Sequence, residues 1–195
     1  LRQTQSLHLL SSRDGDNWDR PSPTPLIDVG DVGEWDRFQI MLTGAPPIPV
    51  GDRLFFYYRG TPRRHAKSPR EFDPRIADDQ ASGTMSIGLA TLRLDGFASV
   101  AGSFDGGRLM TKPFVCDGTS LHLNAKADHG QLRVALLAED ETPLEGYRFD
   151  DCHPIQQDSV QIPVRWGEDD HRLPNAPVRL QFELNNARLF AYWCV

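Results

Sequence analysis

Apolar and polar side chains alternate along most of this chain, residue by residue, as they do on strands that bury one face. The pattern is clearest at residues 121–125 (LHLNA), 132–136 (LRVAL) and 178–184 (VRLQFEL), where every second position is aliphatic or aromatic. It predicts that Leu121, Leu123, Leu132, Val134, Leu136, Val164, Trp166, Leu180, Phe182 and Leu184 share one core. Further β-branched or aromatic runs occupy residues 38–44, 53–60, 83–102, 120–127, 130–140, 159–166 and 177–193. No run keeps a helical period for a useful length. The 16 glycines and 15 prolines fall mainly between the runs, which is the punctuation of antiparallel β structure and not of βαβ units. The predicted class is all-β, of the antiparallel sandwich or propeller kind, with the strand spacing of a β-sandwich at the C-terminal end.

The texture changes along the chain. Residues 1–100 carry long polar connections, above all GTPRRHAKSPREFDPRIADDQASG at 60–83, too long for an ordinary structural loop and therefore read as functional or mobile. Residues 101–195 hold compact strands joined by short turns, as a sandwich does, so a boundary is placed near Ala101 and Gly102. Near the start, SSRDGDNW (residues 11–18) follows the alternating QSLHLL. Asp14 and Gly15 suit a two-residue hairpin turn because glycine adopts φ > 0 without a steric penalty. Ser12 and Asp14 can accept hydrogen bonds from the turn's amides, with Trp18 folding back as an apolar lid, so the motif reads as a structural clasp.

Composition limits the partners. With 195 residues, 39% of them hydrophobic, the chain can bury a sizeable core. A net charge of −6 gives no electrostatic footprint for nucleic acid or an anionic membrane, and no apolar run approaches the roughly 20 residues that span a bilayer. Neither nucleic acid nor membrane is expected as a partner, no signal peptide is read at the N-terminus, and the chain as given is expected to be soluble. Cys116, Cys152 and Cys194 are too few for a disulfide scaffold and too widely spaced for a CxxC zinc site. They are read as buried small hydrophobes, with one bridge plus one free thiol as the alternative.

Candidate chemistry is sparse. The acidic doublets Asp78-Asp79, Asp150-Asp151 and Asp169-Asp170 suit solvated turns better than catalysis, because neighbours on a strand point to opposite faces. No activated-serine elbow and no phosphate-binding glycine loop occurs. His122, His129, His153 and His171 are scattered, and although DDCHP (150–154) gathers four possible ligands, adjacency does not make side chains converge, so no metal and no cofactor is expected. Trp35, Arg59, Arg63, Arg64 and His65 combine a flat aromatic with forked donors at the end of the aromatic strand LFFYY. They are the candidate carbohydrate-binding rim, and no catalytic residue is assigned.

The order SRDGDNW, LFFYYRGTPRRH, IGLATLRLDGFASV, GRLMTKPF, LHLNAKADHGQLRVALLAEDETPLEGYRFDDCHPIQQDS, VRW and PVRLQFELNNARLFAYW resembles, over nearly the whole chain, the C-terminal part of bacterial glycoside hydrolases of the β-fructosidase-like type. The resemblance implies a five-bladed propeller carrying a C-terminal β-sandwich, an extracytoplasmic location, and catalytic acids on earlier blades that no residue here matches. SSRDGDNW would then clasp a blade corner, with the chain starting inside the last part of the propeller. An isolated blade exposes strand edges, so an upstream propeller segment or a second copy of the chain is the implied partner. Two functions follow: the blade and accessory sandwich of a carbohydrate-active protein whose catalysis lies elsewhere, or a stand-alone sandwich that binds glycan or protein without chemistry.

Overall fold

The computed structural model describes residues 4–63, 85–168 and 172–195. Among them are twelve strands and no helix: β1 (Gln39–Leu42), β2 (Ile48–Val50), β3 (Arg53–Thr61), β4 (Ser86–Arg93), β5 (Val100–Gly102), β6 (Gly107–Met110), β7 (Phe114–Val115), β8 (Leu121–Lys126), β9 (Gln131–Ala138), β10 (Asp158–Pro163), β11 (Pro177–Asn185) and β12 (Ala187–Cys194). All pair antiparallel. The all-β class follows directly from the period-two pattern.

The chain divides into two compact units, Leu1–Leu94 and Asp95–Val195. The division precedes Ala101 and Gly102 because β5 pairs with Ala187–Leu189 of β12, a partner far downstream that no local pattern announces. Asp95, with φ 52°, makes the turn at the junction.

In the second unit one sheet runs β10-β8-β12-β5, and the other is built on β11, flanked by β9 on one side and by β6 and β7 on the other. Their inner faces interdigitate in a single core, as in a sandwich. All ten core residues expected from alternation are buried. Trp166 is fully enclosed and donates its indole N–H to Val134 O at 2.8 Å, so its one polar atom is satisfied. Trp193, on β12, is half-buried and stacks on His122. A bulge between Leu189 and Ala191 exchanges the faces of β12. Leu189 faces inward before it, and Tyr192 and Cys194 are the inward positions after it, opposite Leu123 and Leu121. That exchange brings Tyr192 against Phe182 and lets Cys194 form a disulfide with Cys116. The reading of all three cysteines as simple hydrophobes is therefore corrected: Cys116 and Cys194 are bridged, and only Cys152 is a buried thiol.

In the first unit β3 is central. β4 pairs along one side of it, and β1 and β2 share the other. Phe56, Leu54 and Ile40 lie on the buried face of this sheet. Phe55, Tyr57, Ile87, Leu89 and Ile48 project to the opposite face, where Ile87 is 65% exposed. QSLHLL forms no strand but only isolated bridges, Gln5 to Gln39 and Leu7 to Ile27, because it follows the edge of the sheet without a continuous partner. The clasp also differs from a two-residue hairpin. A bridge between Ser11 and Asp19 closes a loop through Ser12–Trp18, and Trp18 stays largely exposed, tied through its indole N–H to Gly15 O at 3.0 Å.

Candidate functional site

Strand alternation separates the residues proposed as a rim. Trp35 lies over Gly60, where an added Cβ would fall 2.4 Å from its ring, and stacks on Tyr58 at 5.7 Å between centroids. Tyr58 and Gly60 are even positions of β3 and Arg59 is odd, so Arg59 emerges on the other face of the sheet. There its guanidinium meets the sulfur of Met41, the residue it faces across β1. Arg63 follows the strand; its carbonyl accepts from Gln39 Nε2 at 2.6 Å and its side chain is exposed. Arg64 and His65 lie outside the described residues. Trp35 and Arg59 are thus not brought to one surface.

Other weighed groups are structural. Asp151 accepts from the amide of Arg148 at 2.9 Å, while Asp150 is fully exposed with Arg133 at 3.9 Å. Asp78-Asp79 and Asp169-Asp170 lie outside the described residues. In DDCHP, Cys152 Sγ turns inward and accepts from the Val134 amide at 3.3 Å, whereas His153 Nε2 turns outward to Gly167 O at 2.7 Å. Burial pushes the Cys152 thiol up, against smaller opposing effects of that amide and of Arg133.

One concavity among the described residues is one that sequence reasoning missed. Three connections meet at one end of the sandwich: β5 to β6, β8 to β9, and β11 to β12. Together with Gln156, which precedes β10, they border an open cleft of about 630 Å³ lined by Phe104, Asp128, His129, Gly130, Gln131, Asn185 and Asn186. Each wall has a local cause. Ser103 and Gly106 close a tight turn, Gly106 at φ 86°, and Phe104 at its tip is 88% exposed. The β8–β9 loop lies against the β11–β12 loop because residue 130 is glycine; a Cβ there would fall 2.0 Å from Asn185 O. Asn186, at φ 45°, donates its side-chain amide to His129 O at 2.7 Å and its backbone amide to Ser103 O at 2.8 Å, so one residue ties all three loops. His129 Nε2 stands 3.6 Å from Asp128 Oδ2, an ion pair when the imidazole is protonated. Lys126 reaches both Asp128 and Asp158, at 3.7 and 3.4 Å. A smaller hollow of about 230 Å³ adjoins, sharing Asp128, His129 and Asn186 and bounded by Lys126 and Arg188.

Chemically the cleft offers one flat apolar ring beside amide, carboxylate and imidazole groups. Each amide both donates and accepts, which matches hydroxyl groups that do the same. The only sequence signal was an aromatic residue inside a glycine-rich turn, SFDGG, where a large apolar side chain serves no turn geometry.

No family model matches this chain, and neither the curated proteins nor the solved structures contain a significant match to it.

Proposed function

We propose that this chain is the carbohydrate-recognising, non-catalytic C-terminal part of a larger glycoside-hydrolase-like protein, and that sugar is held in the loop-end cleft of the sandwich. The observation that carries this reading is Phe104, an almost fully exposed ring standing over a cleft lined by Gln131, Gln156 and Asn185. The ring supplies a platform for the C–H face of a pyranose or furanose, and the amides and Asp128 take its hydroxyls. The cleft presents a single carboxylate, Asp128, whereas glycoside hydrolysis uses two facing each other across the bond.

The first unit supports placement in a larger β assembly. Its sheet is apolar on both faces and buries only one of them, and a propeller blade is a sheet that packs on both sides.

Titration calorimetry of the purified chain with a panel of neutral and acidic oligosaccharides tests the reading. Phe104→Ala is expected to weaken binding at least roughly tenfold, about 1.4 kcal/mol, because the ring's contact is lost. Arg63→Ala, on the first unit, is expected to leave it unchanged. Binding that survives Phe104→Ala but fails in Arg63→Ala would move the site to the first unit, and hydrolysis of a chromogenic glycoside by the purified chain would overturn the non-catalytic reading.

A further inference from the structure

The smaller hollow beside the cleft differs from it in chemistry, and the register of one sheet shows why. Across β10-β8-β12-β5 the strand partners Asp158, Lys126, Arg188 and Ala101 form one row. Residues directly opposite in antiparallel strands project from the same face, and all four are exposed, so the row lies on the outside of the sandwich. It sets two cations side by side, which is destabilising unless anions offset it. Lys126 has its anions: Asp158, its neighbour on the side away from Arg188, at 3.4 Å, and Asp128, two residues beyond the end of β8, at 3.7 Å. Among the described residues the Arg188 guanidinium has no carboxylate and no hydrogen-bond acceptor. Its other neighbour in the row is Ala101, followed by Gly102, and side chains this small leave the space beside the guanidinium open. That space is the hollow, which shares Asp128, His129 and Asn186 with the cleft.

We infer that the hollow is a second sugar subsite, in which Arg188 takes the carboxylate of a uronic-acid unit whose neighbour in the oligosaccharide stacks on Phe104. The inference rests on the cleft reading above and deepens it by naming the ligand class, an acidic oligosaccharide of at least two units. A guanidinium matches a carboxylate in shape as well as charge, since two parallel N–H groups meet the two oxygens. Lys126 adds less, because two carboxylates already surround it. Asp128 also lines the hollow, but the Lys126 ammonium beside it offsets its repulsion of an anion. The subsite is open to water, so its attraction is modest and weakens with salt.

Calorimetry with oligomers of galacturonate, glucuronate and mannuronate, each paired with its carboxyl-reduced neutral form, tests this, because the members of a pair differ in the acid group alone. At low salt the chain is expected to bind at least one acidic form about fivefold more tightly than its neutral counterpart, with the ratio shrinking as salt is added. Arg188→Ala, at an exposed position where the melting temperature should not move, is expected to bring the ratio close to one and leave the neutral affinity unchanged. Arg188→Lys, which keeps the charge without the fork, should retain part of the preference. Arg63→Ala removes an equal charge from the first unit and should keep all of it, whereas Phe104→Ala should weaken both forms alike. Equal binding of acidic and neutral forms, or a preference that survives Arg188→Ala or is lost equally in Arg63→Ala, overturns the subsite and leaves the cleft reading standing. A panel in which nothing binds, or binding indifferent to Phe104→Ala, removes the cleft reading and the subsite with it.

Discussion

The two units use the same strand grammar and reach different ends. In the second, two sheets close on each other and Phe182, Leu180, Val134 and Leu121 have no exposure at all. In the first, one sheet hides Phe56 and Leu54 but leaves Tyr57, Ile87 and Leu89 in the open. The contrast lies in pairing and not in hydrophobicity, since β3 is as apolar as β11. A sheet has two faces, and an unaccompanied one can cover both only if another element arrives. Alternation therefore reports which residues share a face. It does not report whether that face is covered.

The largest expected effect lies in the sealed unit. Phe182→Ala removes a side chain that touches Tyr192 and sits between both sheets, and it should cost about 3–5 kcal/mol. Thermal or denaturant unfolding followed by near-ultraviolet circular dichroism checks it. An unchanged midpoint would mean that the two sheets do not enclose this ring.

Next comes the covalent tie. Cys116 and Cys194 are 78 residues apart in sequence, so the bridge restricts a long loop of the unfolded chain and should contribute about 2–4 kcal/mol. Reducing agent is expected to lower the melting temperature of the second unit. Cys152, buried and with its thiol held above the ordinary range, should resist alkylation in the folded chain and react on unfolding. Rapid labelling of Cys152 in the native state would contradict the sealed core.

The open face gives the opposite expectation. Leu89→Ser, on the exposed side of β4, should change the stability of the first unit by no more than about 0.5 kcal/mol. A cost comparable to that of Phe182→Ala would show that this face is covered in the free chain, and the contrast between the units would disappear.

These differences also mark how far the sequence could be read. The ten core positions of the sandwich were legible because period two is a local property, and each strand there buries one face. The unit boundary was displaced because β5 is three residues long and its partner β12 lies near the chain's end. The cysteine pairing depended on a bulge in β12, whose extra residue leaves no trace in composition. Two of the rim residues, Trp35 and Arg59, part for a simpler reason. Trp35 and Arg59 were joined by residue type, whereas Trp35 reaches β3 from a loop and lands on the face that Arg59 leaves. The cleft was invisible because three loops distant in sequence build it, and Phe104 reads by itself as an ordinary turn residue.

The smallest expected effect concerns the clasp, the one feature of the first unit whose local chemistry was read correctly in its parts. Asp14 is fully exposed and accepts from the Asn17 side-chain amide at 2.7 Å, from the Asn17 and Asp16 amides at 2.8 and 2.9 Å, and from the Ser12 hydroxyl at 3.1 Å. Those donors, the Asn17 side chain foremost, hold its carboxyl well below the usual carboxylate range. A group whose folded value is depressed stabilises the folded form above its unfolded value, near 3.9, and loses that contribution only as pH falls towards the lower folded value. The loop from Ser12 to Trp18 should therefore stay closed at neutral pH and loosen only in strong acid. Trp18, tethered to Gly15 O, is the natural reporter. Its fluorescence should be flat from neutral pH down to about 4 and change below that. Asp14→Ala should show the loosened signal already at neutral pH, with the melting of the sandwich untouched. A transition centred on the ordinary aspartate value, or a sandwich destabilised by this substitution, would break the claim that the clasp is local.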